Sequence, residues 1–123
     1  MKNVKGIFID ADTGKISVKS IKGTLDSYDR LLKCDTFDIV TRKFGPYALD
    51  VFCDDEALLK DDIRVTAIAL DNQSMLFGNL FIAFHDGEGS TISLEKEHID
   101  YILKKCVATI LQDGKVRNVV VYL

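Results

Sequence analysis

Residues 75–84, MLFGNLFIAF, constrain the fold of this chain more than any other segment. The run is apolar on both faces and is interrupted only by Gly78 and Asn79. A short apolar run that is rich in aromatic and β-branched residues, and bounded by polar turns, is typical of a strand buried on both sides. The internal glycine and the polar segments 71–74 and 85–89 favour a strand over a helix. We therefore predict a central strand with helix cover on at least one face.

Two pairs of β-prone runs precede this segment, and each pair surrounds a turn signal. The four runs are residues 4–9 with 15–21 and residues 37–42 with 47–53. The loop 10–14 contains aspartates and a glycine that accept turn geometry, and Gly45-Pro46 marks the second turn. A further strand candidate, residues 64–70, pairs naturally with the central run. The sequence therefore predicts successive antiparallel hairpins.

A short amphipathic helix is predicted between the two hairpins. Thr24 can cap the free amides of its first turn, and the helix ends near Lys33. The apolar residues fall on one face, which predicts that this face packs on the sheet. They are Leu25, Tyr28, Leu31 and Leu32.

A longer helix is predicted near the C-terminus. It starts near Ser93, and apolar residues recur at three- and four-residue steps over residues 99–111. A rival interpretation ends the helix near Lys105 and makes residues 113–114 a hairpin turn. We prefer the long helix because residues 107–112 do not alternate between apolar and polar side chains.

Together these elements predict an α+β fold, in which a mainly antiparallel sheet of hairpins is covered by one short and one long helix. The 123 residues are expected to form a single domain, residues 1–123. A last strand, residues 117–123, could lie at an edge or beside an interior neighbour. At an edge, residues 119–123 would offer unpaired backbone groups through which a homo-oligomer could form.

Composition excludes several classes of protein. The net charge is -3, which disfavours nucleic acid as a ligand because such surfaces usually carry a basic excess. No apolar stretch reaches the roughly 20 residues that a membrane span needs. The three cysteines include no Cys-x-x-Cys pair, which argues against a zinc ribbon. Their odd number argues against a secreted disulfide framework and favours a reducing cytoplasm. We expect no metal and no cofactor.

Three segments carry a resemblance to a known family: residues 21–32 (IKGTLDSYDRLL), 54–61 (DDEALLKD) and 76–82 (LFGNLFI). A hairpin precedes a helix that begins with Thr-Leu, and an acidic turn followed by Leu-Lys leads to a strand with a Gly-Asn step. Over residues 4–84 the chain resembles an uncharacterised family of small domains encoded by phages and mobile elements. The resemblance implies an origin in a phage or mobile element and a place in the cytoplasm of a bacterial host. It implies no catalytic residues.

Two polar segments are the candidate functional loops. One follows the central strand, in a glycine-containing loop of the kind that often carries binding residues; its members are His85, Asp86 and Glu88. The other is an acidic run that could hold a divalent cation or imitate phosphates, although a solvated turn is the preferred explanation; its members are Asp54, Asp55 and Glu56.

Other chemically interesting residues have simpler explanations. The pattern Asp10-x-Asp-x-Gly14 departs from a calcium loop and fits a hairpin turn. Cys53, His85 and Asp86 have the side chains of a nucleophile, a base and an orienting acid, but nothing except the presence of these residue types suggests a catalytic arrangement. His98 is predicted to be a solvated surface residue of the second helix.

The sequence therefore favours a non-enzymatic binding or regulatory protein that acts through protein-protein contact. Small size and the lack of a paired catalytic constellation motivate this prediction. An alternative is a protein that sequesters a small nucleotide-like ligand. A hydrolase that uses the His85 loop is the less favoured third hypothesis.

Overall fold

The computed structural model describes residues 3–10, 15–34, 36–54, 65–68, 76–105, 107–113 and 116–122. The strands in these ranges are β1 Asn3–Ile9, β2 Ile16–Lys22, β3 Phe37–Phe44, β4 Tyr47–Asp54, β5 Val65–Ile68, β6 Leu76–Phe77, β7 Leu80–His85, β8 Thr91–Ile92, β9 Val107–Asp113 and β10 Val116–Tyr122. The helices are α1 Leu25–Leu32 and α2 Lys96–Lys105.

The first sheet has the strand order β2-β1-β7-β4-β3, and the short strand β8 pairs with β7. All of its pairings are antiparallel. Both predicted N-terminal hairpins are confirmed, since β1 pairs with β2 and β3 pairs with β4 around Gly45-Pro46. Strand β7 lies in the middle of the order, and its first four residues, 80–83, are buried. The predicted central strand is therefore confirmed for residues 80–84, and it also includes His85, which was predicted to lie in the following loop.

Helices cover both faces of the first sheet. Side chains alternate between the faces of a strand, so each strand contributes to two separate clusters. One cluster joins Ile7, Val51 and Ile82 to Ile99 and Ile102 of α2. The other consists of Val4, Phe8, Phe52, Phe81 and Ala83 with Tyr28 and Leu32 of α1. We call these the α2 face and the α1 face, and they confirm the predicted α+β fold.

The apolar run 75–84 is not one strand. Leu76–Phe77 forms β6, which pairs with β5 in a second sheet, whereas Leu80 begins β7 of the first sheet. The break falls at Gly78, whose φ of +75° lies in the left-handed region that glycine adopts without a steric penalty. The predicted single strand is thus wrong before residue 80, and Met75 lies outside the described residues.

The predicted long second helix is also wrong. Helix α2 ends at Lys105, and residues 107–113 form β9, which pairs with β10 from Val107↔Tyr122 to Asp113↔Val116. The rival interpretation, which ends the helix near Lys105, is the correct one. Valine, threonine and isoleucine in this segment favour a strand, and pairing with a valine-rich neighbour outweighs the helical spacing. Cys106 and Gly114 lie outside the described residues.

The second sheet has the order β6-β5-β10-β9. Strand β10 lies in its interior, antiparallel to β9 and parallel to β5. Of the two predicted positions for the last strand, the interior one is correct. Val121 and Tyr122 are paired with both β9 and β5, so these two residues do not lie at an open edge. A homo-oligomer formed through an edge strand stays a prediction.

Helix α1 begins and ends as predicted. The Thr24 side chain accepts a hydrogen bond from the Ser27 amide at 3.2 Å, and Lys33 closes the helix in a left-handed conformation, with φ of 55°. Tyr28 and Leu32 are buried as expected. Leu25, however, is 72% exposed, so its predicted place on the packed face is wrong. Helical side chains point towards the N-terminus, so the side chain of Leu25, the first residue of the helix, extends beyond its end.

Tyr28 is buried among aromatic rings. Its ring centroid lies 4.5 Å from that of Phe52, 5.4 Å from that of Phe37 and 6.1 Å from that of Phe81. Its buried hydroxyl has no hydrogen-bond partner within the described residues. Burial raises the pKa of Tyr28 above its ordinary value, because the phenolate would be poorly solvated there.

Tyr28→Phe is expected to stabilise the protein by about 1 kcal/mol at neutral pH, since it removes a buried hydroxyl without altering the ring packing. Above the ordinary tyrosine pKa of about 10, the unfolded chain releases the Tyr28 proton while the folded chain retains it. The free energy of unfolding should therefore fall with rising pH above that value, less steeply in Tyr28→Phe. Urea unfolding between pH 7 and 11 measures both effects. A variant that is less stable at pH 7 would contradict the prediction.

No helix in the described ranges is long and apolar enough to cross a membrane.

Candidate functional site

His85, predicted as a functional residue, is held by a carboxylate that the sequence reasoning missed. His85 Nδ1 lies 2.9 Å from Asp50 Oδ2, and the Thr41 hydroxyl donates to Asp50 Oδ1 at 3.2 Å. Asp50 is buried, whereas His85 remains partly exposed. The strand registers Thr41↔Asp50 and Asp50↔Ala83 place these residues side by side on the α1 face. The available signal was an aspartate inside the otherwise apolar run 47–53.

The Cys53, His85 and Asp86 constellation is not assembled. Cys53 belongs to the cluster on the α2 face, and its thiol donates to the Asp38 carbonyl at 3.7 Å. Asp50 and its imidazole partner lie on the opposite face. Asp86 Oδ1 instead accepts the amides of Glu88 and Ser90, both at 2.9 Å. Asp86 thereby fixes the turn that joins β7 to β8.

Of the second predicted loop, the structure describes Asp54, which is the last residue of β4 and is paired across the strands with Phe37. Asp50 lies four residues earlier, beside Ala83, so Asp54 and His85 lie towards opposite ends of the sheet. Asp55 and Glu56 lie outside the described residues. Asp54 therefore does not join His85 in one site.

His98 is 5% exposed, so its predicted place on the solvated surface is wrong. Its ring packs against Phe84 and Tyr47, with centroid separations of 4.8 and 4.9 Å. The Glu95 amide donates to His98 Nδ1 at 3.1 Å, which satisfies a free donor at the start of α2. Potential metal-ligand atoms of Glu95, Glu97 and His98 lie within 4.8 Å of one another, but His98 Nδ1 already accepts the hydrogen bond from the Glu95 amide. We therefore assign His98 a structural role.

An open, partly apolar site lies where the first turn of α1 meets the start of β3. A cavity of about 250 Å³ there is lined by Leu25, Asp29, Thr36 and Phe37, and we call it the α1–β3 corner. Leu25 is largely exposed and Phe37 is half-buried. Ile39, two residues further along the same face of β3, is 44% exposed. The sequence reasoning missed this site because it placed Leu25 in the core.

A polar groove adjoins the α1–β3 corner along α1. Its volume is about 420 Å³, and its lining is Asp26, Asp29, Arg30, Lys33 and Cys34. Asp26 and Arg30 form an exposed ion pair at 3.1 Å. Asp29 lines both the groove and the corner, and its Oδ1 accepts a long hydrogen bond of 3.9 Å from the Cys34 thiol. The two concavities thus share one carboxylate.

A third cavity, of about 270 Å³, lies at the other edge of the first sheet. Its lining residues are Phe8, Asp10, Lys15, Ser17 and Lys19. The Lys19 ammonium lies 5.0 Å from the centroid of the Phe8 ring. Such a contact is a cation–π interaction.

The model of one protein family matches residues 4–107 of the chain, and this family is described as a domain of unknown function, DUF3846. The match extends from β1 to the first residue of β9. No curated protein and no solved structure matches the chain. The expectation of an uncharacterised family is thereby confirmed, while the origin in a phage or mobile element stays a prediction.

Proposed function

The chain belongs to the DUF3846 family, and we propose that it is a non-enzymatic binding or regulatory module that acts through contact with another protein. The resemblance noted from the sequence supports an origin in a phage or mobile element and a cytoplasmic place of action. The observation that carries the proposal is the α1–β3 corner.

An exposed apolar corner of this kind is a feature of protein interfaces. Leu25 is 72% exposed at the mouth of a cavity that Phe37 helps to line. Single exposed apolar residues are common on protein surfaces, but Leu25, Phe37 and Ile39 lie along one corner beside a concavity. Apolar anchors that enter pockets supply most of the binding energy at protein interfaces.

The size of the cavity favours a protein partner over a small-molecule ligand. Clefts that hold drug-sized ligands have volumes of roughly 300–1,000 Å³, and the corner falls below that range at about 250 Å³. The adjoining groove is larger, at about 420 Å³, but polar side chains line it. One side chain of a partner fits the corner better than a nucleotide does.

Sequestration of a small nucleotide-like ligand is the second candidate function. The cavity beside Phe8, with Lys15 and Lys19 in its lining, favours it. The Phe8 face is occupied by Lys19, however, and Lys15 already interacts with other residues. A nucleotide would have to displace these contacts, which ranks this candidate below a protein partner.

Affinity capture and thermal shift distinguish the two candidates. Immobilised protein in a lysate of its source organism is expected to recover one dominant protein, which after purification binds with a micromolar or lower Kd in calorimetry. A panel of mono-, di- and trinucleotides is expected to leave Tm unchanged. Sequestration would instead stabilise the fold by about 2.7 kcal/mol at a hundred times Kd, a rise in Tm of roughly 10 °C. A nucleotide-induced rise without any captured protein would overturn the proposal.

A further inference from the structure

We infer that the α1–β3 corner receives a linear segment of the partner protein, in which a large apolar side chain stands next to a lysine or arginine. The inference rests on the proposed function and specifies the surface and the chemistry of the partner. The apolar side chain enters the cavity lined by Leu25, Thr36 and Phe37, and the cation meets Asp29.

The apolar half of this chemistry follows from the lining of the corner. Leu25 at the helix start and Phe37 at the strand start face one concavity of about 250 Å³. That volume accommodates one leucine, methionine or phenylalanine side chain. Phe37 is itself supported from beneath, because its ring centroid lies 5.4 Å from those of both Tyr28 and Phe52. The floor of the corner is therefore part of the packed core and is held in place before a partner binds.

The cationic half follows from the charges around the corner. Asp29 lines both concavities and makes no ion pair with a cation of the described residues. Two cations line the groove: Arg30 is paired with Asp26, and no ion pair joins Lys33 to Asp29. A lysine or arginine next to the apolar anchor would thus meet a carboxylate that has no ion-pair partner among the described residues.

Two other occupants fit this surface less well. A strand added to the edge of β3 would need its outward amides, but the Asp38 side chain already occupies the amide of Ile39. A second copy of the chain in a two-fold dimer would bring the same corner against itself. Asp29 would then face the Asp29 of the second copy, and like charges oppose that contact.

Selection from a yeast-displayed library of random twelve-residue peptides tests the inference with the full chain. Enriched peptides are expected to place leucine, isoleucine, methionine or phenylalanine next to lysine or arginine. Leu25→Lys should weaken binding of the best synthetic peptide at least tenfold. Leu103→Lys is the matched control: it replaces an exposed leucine of α2, 48% accessible, and should change Kd less than twofold. Both positions are exposed, so both variants should keep the wild-type Tm.

Reversal of one charge makes the test specific. Asp29→Lys is expected to enrich peptides that place glutamate or aspartate beside the apolar residue and to lose affinity for the wild-type peptides. Enrichment of no peptide, or equal effects of Leu25→Lys and Leu103→Lys, would overturn the inference. A captured partner that binds Leu25→Lys as tightly as wild type would contradict the assignment of the binding surface to the α1–β3 corner, but it would still support the proposed function. Capture of no partner would remove the proposed function itself.

Discussion

Gly6→Ala is expected to lower the free energy of unfolding by about 3–4 kcal/mol, an effect far larger than that of an ordinary glycine-to-alanine change. Gly6 lies on β1 where this strand crosses β7, and the neighbouring pairs are Ile7↔Ile82 and Phe8↔Phe81. An added Cβ would meet the Ile82 carbonyl oxygen and would lie 2.6 Å from an atom of the Phe81 ring. The carbonyl belongs to the backbone of the central strand, so relief of the clash requires β1 and β7 to separate.

Gly87→Ala is the matched control for this prediction. Nothing lies within 4 Å of the position that its Cβ would take, and its backbone is not in the left-handed region. Its free energy of unfolding should stay within about 0.5 kcal/mol of wild type. Urea unfolding followed by circular dichroism measures both variants. A loss below 1 kcal/mol in Gly6→Ala would show that the two strands do not approach as closely as described.

The hairpins and α1 were predictable because their signals are local. Gly45-Pro46 specifies a turn, and Thr24 satisfies an amide three residues away, so each element is encoded within a few positions. The α+β fold follows from such elements in series. Strand β7 was recognisable because a strand that is covered on both faces needs apolar side chains at successive positions.

The wrong predictions concern residues whose structure depends on partners that are distant in the sequence. Residues 107–113 have helical spacing, but they form a strand because β10 pairs with them and is in turn paired with β5. His98 has a polar side chain, yet in the fold its ring is enclosed by Tyr47 of β4 and Phe84 of β7. Propensity and periodicity contain no information about these partners.

The candidate site was less predictable than the fold for the same reason. His85 was identified, but its partner Asp50 lies 35 residues earlier and becomes adjacent only through the pairing of β4 with β7. The α1–β3 corner depends on the direction in which the Leu25 side chain leaves the first turn. A periodic apolar pattern assigns Leu25 to the buried stripe, whereas its place at the helix terminus exposes it.

Phe52→Ala is expected to cost about 3–5 kcal/mol of stability, the usual loss when a buried aromatic ring is truncated. The Phe52 ring is buried on the α1 face, and its centroid lies within 6.0 Å of those of Tyr28, Phe37 and Phe81. Its cross-strand neighbour Ile39 provides the control, because the two residues are paired in register but Ile39 is 44% exposed.

Ile39→Ala should therefore lower the free energy of unfolding by less than about 1 kcal/mol in urea unfolding, although both changes truncate an apolar side chain at the same level of the sheet.

Phe52→Ala is also expected to affect binding at the α1–β3 corner. Phe52 supports Phe37, which lines the α1–β3 corner, so Phe52→Ala should weaken peptide binding at temperatures where the variant is still folded. Unchanged peptide affinity in folded Phe52→Ala would mean that the corner does not depend on the aromatic layer beneath it. Equal destabilisation by Phe52→Ala and Ile39→Ala would contradict the assignment of Phe52 to the core.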